Sequence, residues 1–168
     1  MAAPGNNRLY DLVEDAVTAL KSMGKEFGHR RDYKQVTRHL YDVGLESDFD
    51  QATVQVALGD STQPSEDGFD YSNTHIRRQD ELIVRAHLGP DKLRDGSLDM
   101  IRPILDFEAD VEAVLMADRH RGDDAGAATT YYARTVRKTW GDAEGIAATV
   151  DLYYVIDWYH TTGDTSAV

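Results

Sequence analysis

A run near the end of the chain constrains the fold most. From Ile146 to Thr161 the residues alternate between two characters. Val150, Leu152, Tyr154, Ile156 and Trp158 share one face, and Thr149, Asp151, Tyr153, Asp157 and Tyr159 share the other. A period of two is that of a β-strand. The run is long against a usual strand of about 5–6 residues. A strand this long, apolar on one face, belongs near the centre of a sheet and needs a cover. Two amphipathic helices supply it. From Arg8 to Phe27, Leu9, Leu12, Val13, Ala16, Val17, Leu20, Met23 and Phe27 recur at spacings of three and four, which makes one stripe. Asn6 or Asn7 can cap that helix, and Gly28 can stop it. A second helix falls between Leu98 and Asp118, with Ile101, Ile104, Leu105, Val111, Val114 and Leu115 as its apolar face.

The other segments fit the same plan. Tyr33–Leu40 is expected as an irregular strand. In Thr53–Leu58, Val54, Val56 and Leu58 alternate and are expected to point inward. Gly59–Asp80 is polar and is expected to be a long loop, a feature that in compact domains is usually functional or disordered. Glu81–Leu88 resumes alternation and ends at Gly89-Pro90. Thr129–Trp140, a turn at Gly141–Gly145 and the terminal strand read as a β-hairpin. The fold class is therefore α+β, an antiparallel β-sheet with two amphipathic helices packed on one face. The 168 residues fit a single domain, 1–168.

Composition removes several functions. The formal net charge is −12, with 30 acidic and 18 basic residues. Nucleic-acid binding needs clustered positive charge, so a dedicated DNA or RNA binder is not expected. No stretch is apolar enough for a transmembrane helix, and the first residues do not read as a signal peptide. There is no cysteine, hence no disulfide framework, no thiolate zinc site and no cysteine nucleophile. Asp dominates the acids and Arg the bases. That bias suits either a protein from a salt-in halophile or a high-GC genome. In the first case molar salt screens the self-repulsion of a strongly hydrated carboxylate surface.

Catalytic spacing is missing too. The six histidines form no HExxH or HxH pattern. His87 and His160 sit singly in strands, where a histidine is ordinarily a surface or hydrogen-bonded residue. No phosphate-binding glycine loop and no GxSxG elbow occurs. Asp48-Phe49-Asp50 and Asp123-Asp124 lack the spacing of a calcium loop. No catalytic residue, cofactor or metal ligand is assigned, and an enzyme is not expected. What remains is surface. Arg77-Arg78, within the expected loop, and Arg119 with Arg121, after the second helix, are cationic spots in an acidic chain. They serve either local charge balance or contact with a neighbouring acidic subunit. Tyr131, Trp140, Tyr153 and Tyr159 fall off the helix-packed face or near strand ends. They are interface candidates, unless a second layer of the same domain covers them.

The order of elements resembles the tail terminator, or tail completion, proteins of long-tailed, siphovirus-type viruses. Four stretches carry the resemblance: RLYDLVEDAVTALKSM; ATVQVALGD; DELIVRAHLGPD with RPILDFEADVEAVLMAD; and IAATVDLYYVIDWYHTT. Gly59–Asp80 and the long segment between Phe27 and Thr53 depart from the plain form of the family. The resemblance implies a structural virion protein, acting in the neck and tail region after assembly in the host cytoplasm. Such a protein forms a homohexameric ring on the tail tube, ends tube polymerisation and docks to the head-closure or connector complex. DNA passes through the lumen without specific binding. With the halophilic composition, the implied host is archaeal. The alternatives are another neck protein, a head-closure or adaptor component, and a small α+β enzyme or ligand-binding domain.

Overall fold

A computed structural model describes residues 8–38, 52–62, 75–118, 131–140 and 148–161, with backbone alone through 131–140 and at several strand ends. The elements run α1 (Arg8–Leu20), a 3₁₀ turn (Lys25–Phe27), β1 (Tyr33–Thr37), β2 (Ala52–Thr62), β3 (His75–Leu88), β4 (Asp91–Lys92), β5 (Leu98–Asp99), α2 (Ile101–Ala117), β6 (Tyr131–Trp140) and β7 (Ala148–Thr161). Five strands form one sheet in the order β1-β2-β3-β7-β6, and β4 and β5 form a separate small hairpin. The fold is α+β.

Strand parity is what the alternation requires. Val54, Ala86 and Val150 lie side by side across β2, β3 and β7; so do Val56, Val84 and Leu152. These residues, with Tyr154 and Ile156, join Leu12, Ala16, Val17 and Leu20 of α1 and Ile104, Phe107, Val111 and Leu115 of α2 in one buried cluster. Both helices therefore cover the same face. Burying a Val, Leu, Ile or Phe side chain is worth about 1.5–3 kcal/mol, so this layer is the main driving force for the fold. The terminal strand β7 lies between β3 and β6, inside the sheet as its length demands.

Four expectations change. The sheet is mixed: β1 pairs with β2 in parallel, because the chain returns along 39–51, outside the described residues, rather than through a tight hairpin. The polar loop is shorter than Gly59–Asp80. β2 runs on to Thr62 and β3 starts at His75, leaving 63–74 outside the described residues. Polar residues are tolerated there because these strand ends lie past Leu58 and Leu82, the end of the helix-covered core. The first helix stops at Leu20. Ser22 turns its hydroxyl onto the Ala19 carbonyl at 2.6 Å, and Gly28, at φ +88°, closes the following 3₁₀ turn in the left-handed region. Finally, Leu58, Ile101 and Leu105 are exposed rather than inward. The caps Asn6 and Asn7, the loop Arg119–Ala128 and the turn Gly141–Gly145 lie outside the described residues.

Candidate functional site

The densest polar cluster joins α2 to the entry of β1. Asp110 is fully buried on α2. Its carboxylate accepts hydrogen bonds from the backbone N–H of Arg30 at 3.1 Å and of Arg31 at 3.3 Å, and from the Tyr33 hydroxyl at 3.0 Å. The Arg30 guanidinium adds a contact at 3.4 Å, and His29 Nδ1 lies 3.7 Å away. Arg31 donates from Nε to Asp106 at 3.2 Å and forks onto both oxygens of Asp91. Burial by itself lowers the Arg31 pKa, but the Asp91 contact outweighs it and raises the value. The Arg31 hydrogen bond in turn holds Asp91 below the usual carboxylate range. Burial, then the Asp110 charge, pushes the Tyr33 hydroxyl well above its ordinary pKa. Every acid here is held by a guanidinium or by backbone donors. The cluster fixes a chain reversal to a helix and presents no poised base. Among the described residues no group of carboxylates and histidines has the arrangement of a metal site.

The sequence candidates scatter. Arg77 and Arg78 are in β3, not a loop, at register positions opposite Tyr159 and Trp158. Strand alternation puts these two arginines on opposite faces. Arg78 is half-buried and engaged in the fold; of Arg77 and Tyr159 the backbone register is what is described. Arg119 and Arg121 lie outside the described residues. Tyr131 and Trp140 open and close β6, opposite Asp157 and Val150. Tyr153 is on the face away from the helices, as expected, but only 9% exposed. Of the two readings offered for it, cover by this same chain is the one that holds. On that same face Arg85 forks onto Asp151 at 2.6 and 2.8 Å, and His87 Nδ1 meets the Thr149 hydroxyl at 3.1 Å. These cross-strand contacts tie β3 to β7.

Two apolar surfaces do emerge, at opposite ends of the strands. One is convex. Leu98 of the β4–β5 hairpin is 60% exposed, and Ile101 and Leu105 on the outer side of α2 are 63% and 52% exposed. They follow each other at spacings of three and four residues. The hairpin is held by Leu93 N–H to the Ser97 carbonyl at 2.9 Å and by a left-handed Gly96. Asp99 accepts from the Ile101 N–H at 2.9 Å and fixes the start of α2. The other surface is concave, a groove of about 400 Å³ between the start of α1 and the ends of β1 and β2, lined by Leu9, Tyr10, Val13, Glu14, Arg38, Ala57 and Leu58. Arg38 stacks on the Tyr10 ring at 5.3 Å and bonds the Tyr10 hydroxyl and Glu14, which fixes one wall.

The sequence held a usable signal for the convex surface. At about 100° per residue, Ile101 and Leu105 fall well to one side of the stripe Ile104-Phe107-Val111-Leu115. The groove had no such signal, since three separate elements build it.

Comparison with known protein families and with curated proteins gives no match to the chain. Among the described residues no helix is long and apolar enough to cross a membrane.

Proposed function

We propose that this chain is a structural protein of a viral tail: a tail-terminator-type subunit that assembles into a ring at the head-proximal end of the tail tube. The observation that carries the reading is the order and layering of elements. An opening helix, strands, a second helix on the same face and a closing strand pair β6–β7 form the one-sided sandwich that the resemblance implies. The two exposed apolar surfaces support it, since such patches mark contact with other proteins. The polar cluster at Asp110 supports it from another side, because its acids are spent on holding the fold together.

In this reading the partners are further copies of the chain, the tail tube protein and a head-closure or connector protein. The acidic character keeps passing DNA from adhering to the ring, because like charge repels the phosphate backbone. A mostly helical adaptor fits less well: among the described residues two α-helices stand beside seven strands.

The test is co-assembly. The chain, mixed with tail tube protein in molar salt, is expected to form rings that cap tubes and limit their growth, seen by negative-stain microscopy and native mass spectrometry. A chain that stays monomeric and leaves tube growth unchanged would sink the reading. Arg77, Arg78, Arg119 and Arg121 changed together to Ala test the cationic contacts. Unaltered assembly would remove them from the interface.

A further inference from the structure

We infer that the two apolar surfaces are the two halves of one joint: the convex Leu98–Ile101–Leu105 edge of one copy seats in the Tyr10–Val13–Leu58 groove of the next. The inference deepens the ring reading and rests on it for the biological setting, but its evidence is separate.

Place comes first. Strand β3 runs from Leu82, paired with Leu58 at the groove, to Leu88, which leads directly into the β4–β5 hairpin. Six residues of strand separate the two surfaces by roughly 20 Å. Parallel β1 confirms the polarity: its first residue, Tyr33, is tied to α2 near the hairpin, and Arg38, just past its end, lines the groove. One subunit therefore carries a projecting and a receiving surface at opposite ends. Contact between unlike surfaces is heterologous. It cannot saturate in a dimer, and it gives a closed ring or an open filament.

Charge selects the occupant. Lys92, Arg94 and Arg102 are exposed beside the convex edge. Arg102 reaches only to 3.9 Å from Asp106, with 72% of its side chain exposed. Asp11 and Asp60 are exposed beside the groove, and Glu14 lines it. Cations thus flank the apolar projection and acids flank the apolar receptor. That arrangement steers copies of the chain head to tail and opposes head-to-head approach. Arg38 stiffens the groove wall in advance, so less ordering is lost on docking.

The joint predicts complementation. Ile101→Glu/Leu105→Glu removes the projection, and Leu58→Arg blocks the groove. All three positions are exposed, so the fold should survive, which circular dichroism checks. In sedimentation velocity in molar KCl the parent chain should form closed or open oligomers. Each variant alone should weaken self-association by at least about tenfold. Mixed, they should give a 1:1 dimer that grows no further, because one intact edge meets one intact groove. A mixture that stays monomeric, variants that assemble like the parent, or a monomeric parent chain would each overturn the joint.

The absence of cysteine allows a second readout. Leu58→Cys/Leu105→Cys in one chain should give a ladder of species with a short bis-maleimide, and Leu105→Cys alone should give none. A strong dimer from Leu105→Cys alone would show a symmetric contact instead. The outcomes separate the two claims. Rings that pass these tests yet never bind tail tube protein defeat the viral reading and keep the joint. Capped tubes built equally well by the variants defeat the joint and keep the reading.

Discussion

At the scale of single residues, Asp110 decides the most. A fully buried carboxylate is tolerable only when donors surround it, and here two backbone N–H groups, a tyrosine hydroxyl and a guanidinium do so. Asp110→Asn keeps the size but turns an acceptor into a donor facing donors. It should destabilise the fold by about 2–4 kcal/mol in urea unfolding. Tyr33→Phe, which removes one donor, should cost about 1 kcal/mol. A Tyr33 variant costing more than Asp110→Asn would show that ring packing against Phe107, at 5.9 Å, matters more than the hydrogen bond.

The titrations give a pH dependence with a definite sign. The Arg31 hydrogen bond lowers Asp91, and hydrogen bonds from the Ser97 hydroxyl and backbone lower Asp95. Groups depressed in the folded state contribute stability above their unfolded value, near pH 4, and lose it as pH falls through the folded one. Tyr33 is raised, so its contribution is complete below about pH 10 and fades above it. Urea midpoints should therefore fall below about pH 4, with Asp91→Asn flattening the acid limb. They should fall again above about pH 10, and Tyr33→Phe should flatten that limb.

At the scale of elements, the interest is in how β3 and β7 are locked on the face away from the helices. Arg85 and Asp151 face each other in register, with side chains 24% and 9% exposed. An exposed pair contributes about 0.2–1 kcal/mol. A double-mutant cycle with Arg85→Ala and Asp151→Ala should give a coupling above that range, because the forked geometry is largely withdrawn from water. A coupling near zero would mean that solvent replaces the contact freely. The same elements show how alternation was read. The inward sets on β2, β3 and β7 follow directly from a period of two. The strand ends did not, since Ser61, Asp80 and their neighbours pair by backbone hydrogen bonds that carry no side-chain pattern. The helix-facing set on α2 was read too widely for a similar reason. Ile101 and Leu105 are as apolar as Ile104, but the wheel turns them to the edge where no partner element of this chain lies.

For the whole molecule, charge is the controlling quantity. A net charge of −12 on 168 residues repels itself, and at 1 M salt the Debye length falls to about 3 Å. The melting temperature should rise steadily from dilute buffer into molar KCl, measured by circular dichroism or scanning fluorimetry. An unchanged melting temperature would assign the Asp and Arg bias to genome composition rather than to habitat. The same salt screens the charged rims of the proposed joint but strengthens its apolar part most if the anion is kosmotropic, so assembly should persist where simple ion pairing would fail.

The sequence by itself determined the α+β class, the two covering helices, the faces of β2, β3 and β7, and the interior place of the terminal strand. Each of these is local periodicity, and burial on one side of an element is written into its own spacing. Tertiary structure alone decided the parallel edge strand, the knot of Arg30 and Arg31 on Asp110, and the meeting of Tyr10, Arg38 and Leu58 in a groove. Those depend on which distant segments the chain brings together: Asp110 lies 80 residues from Arg30. No spacing rule reaches that far, because such partners are chosen by packing of the shared core and not by the residues between them.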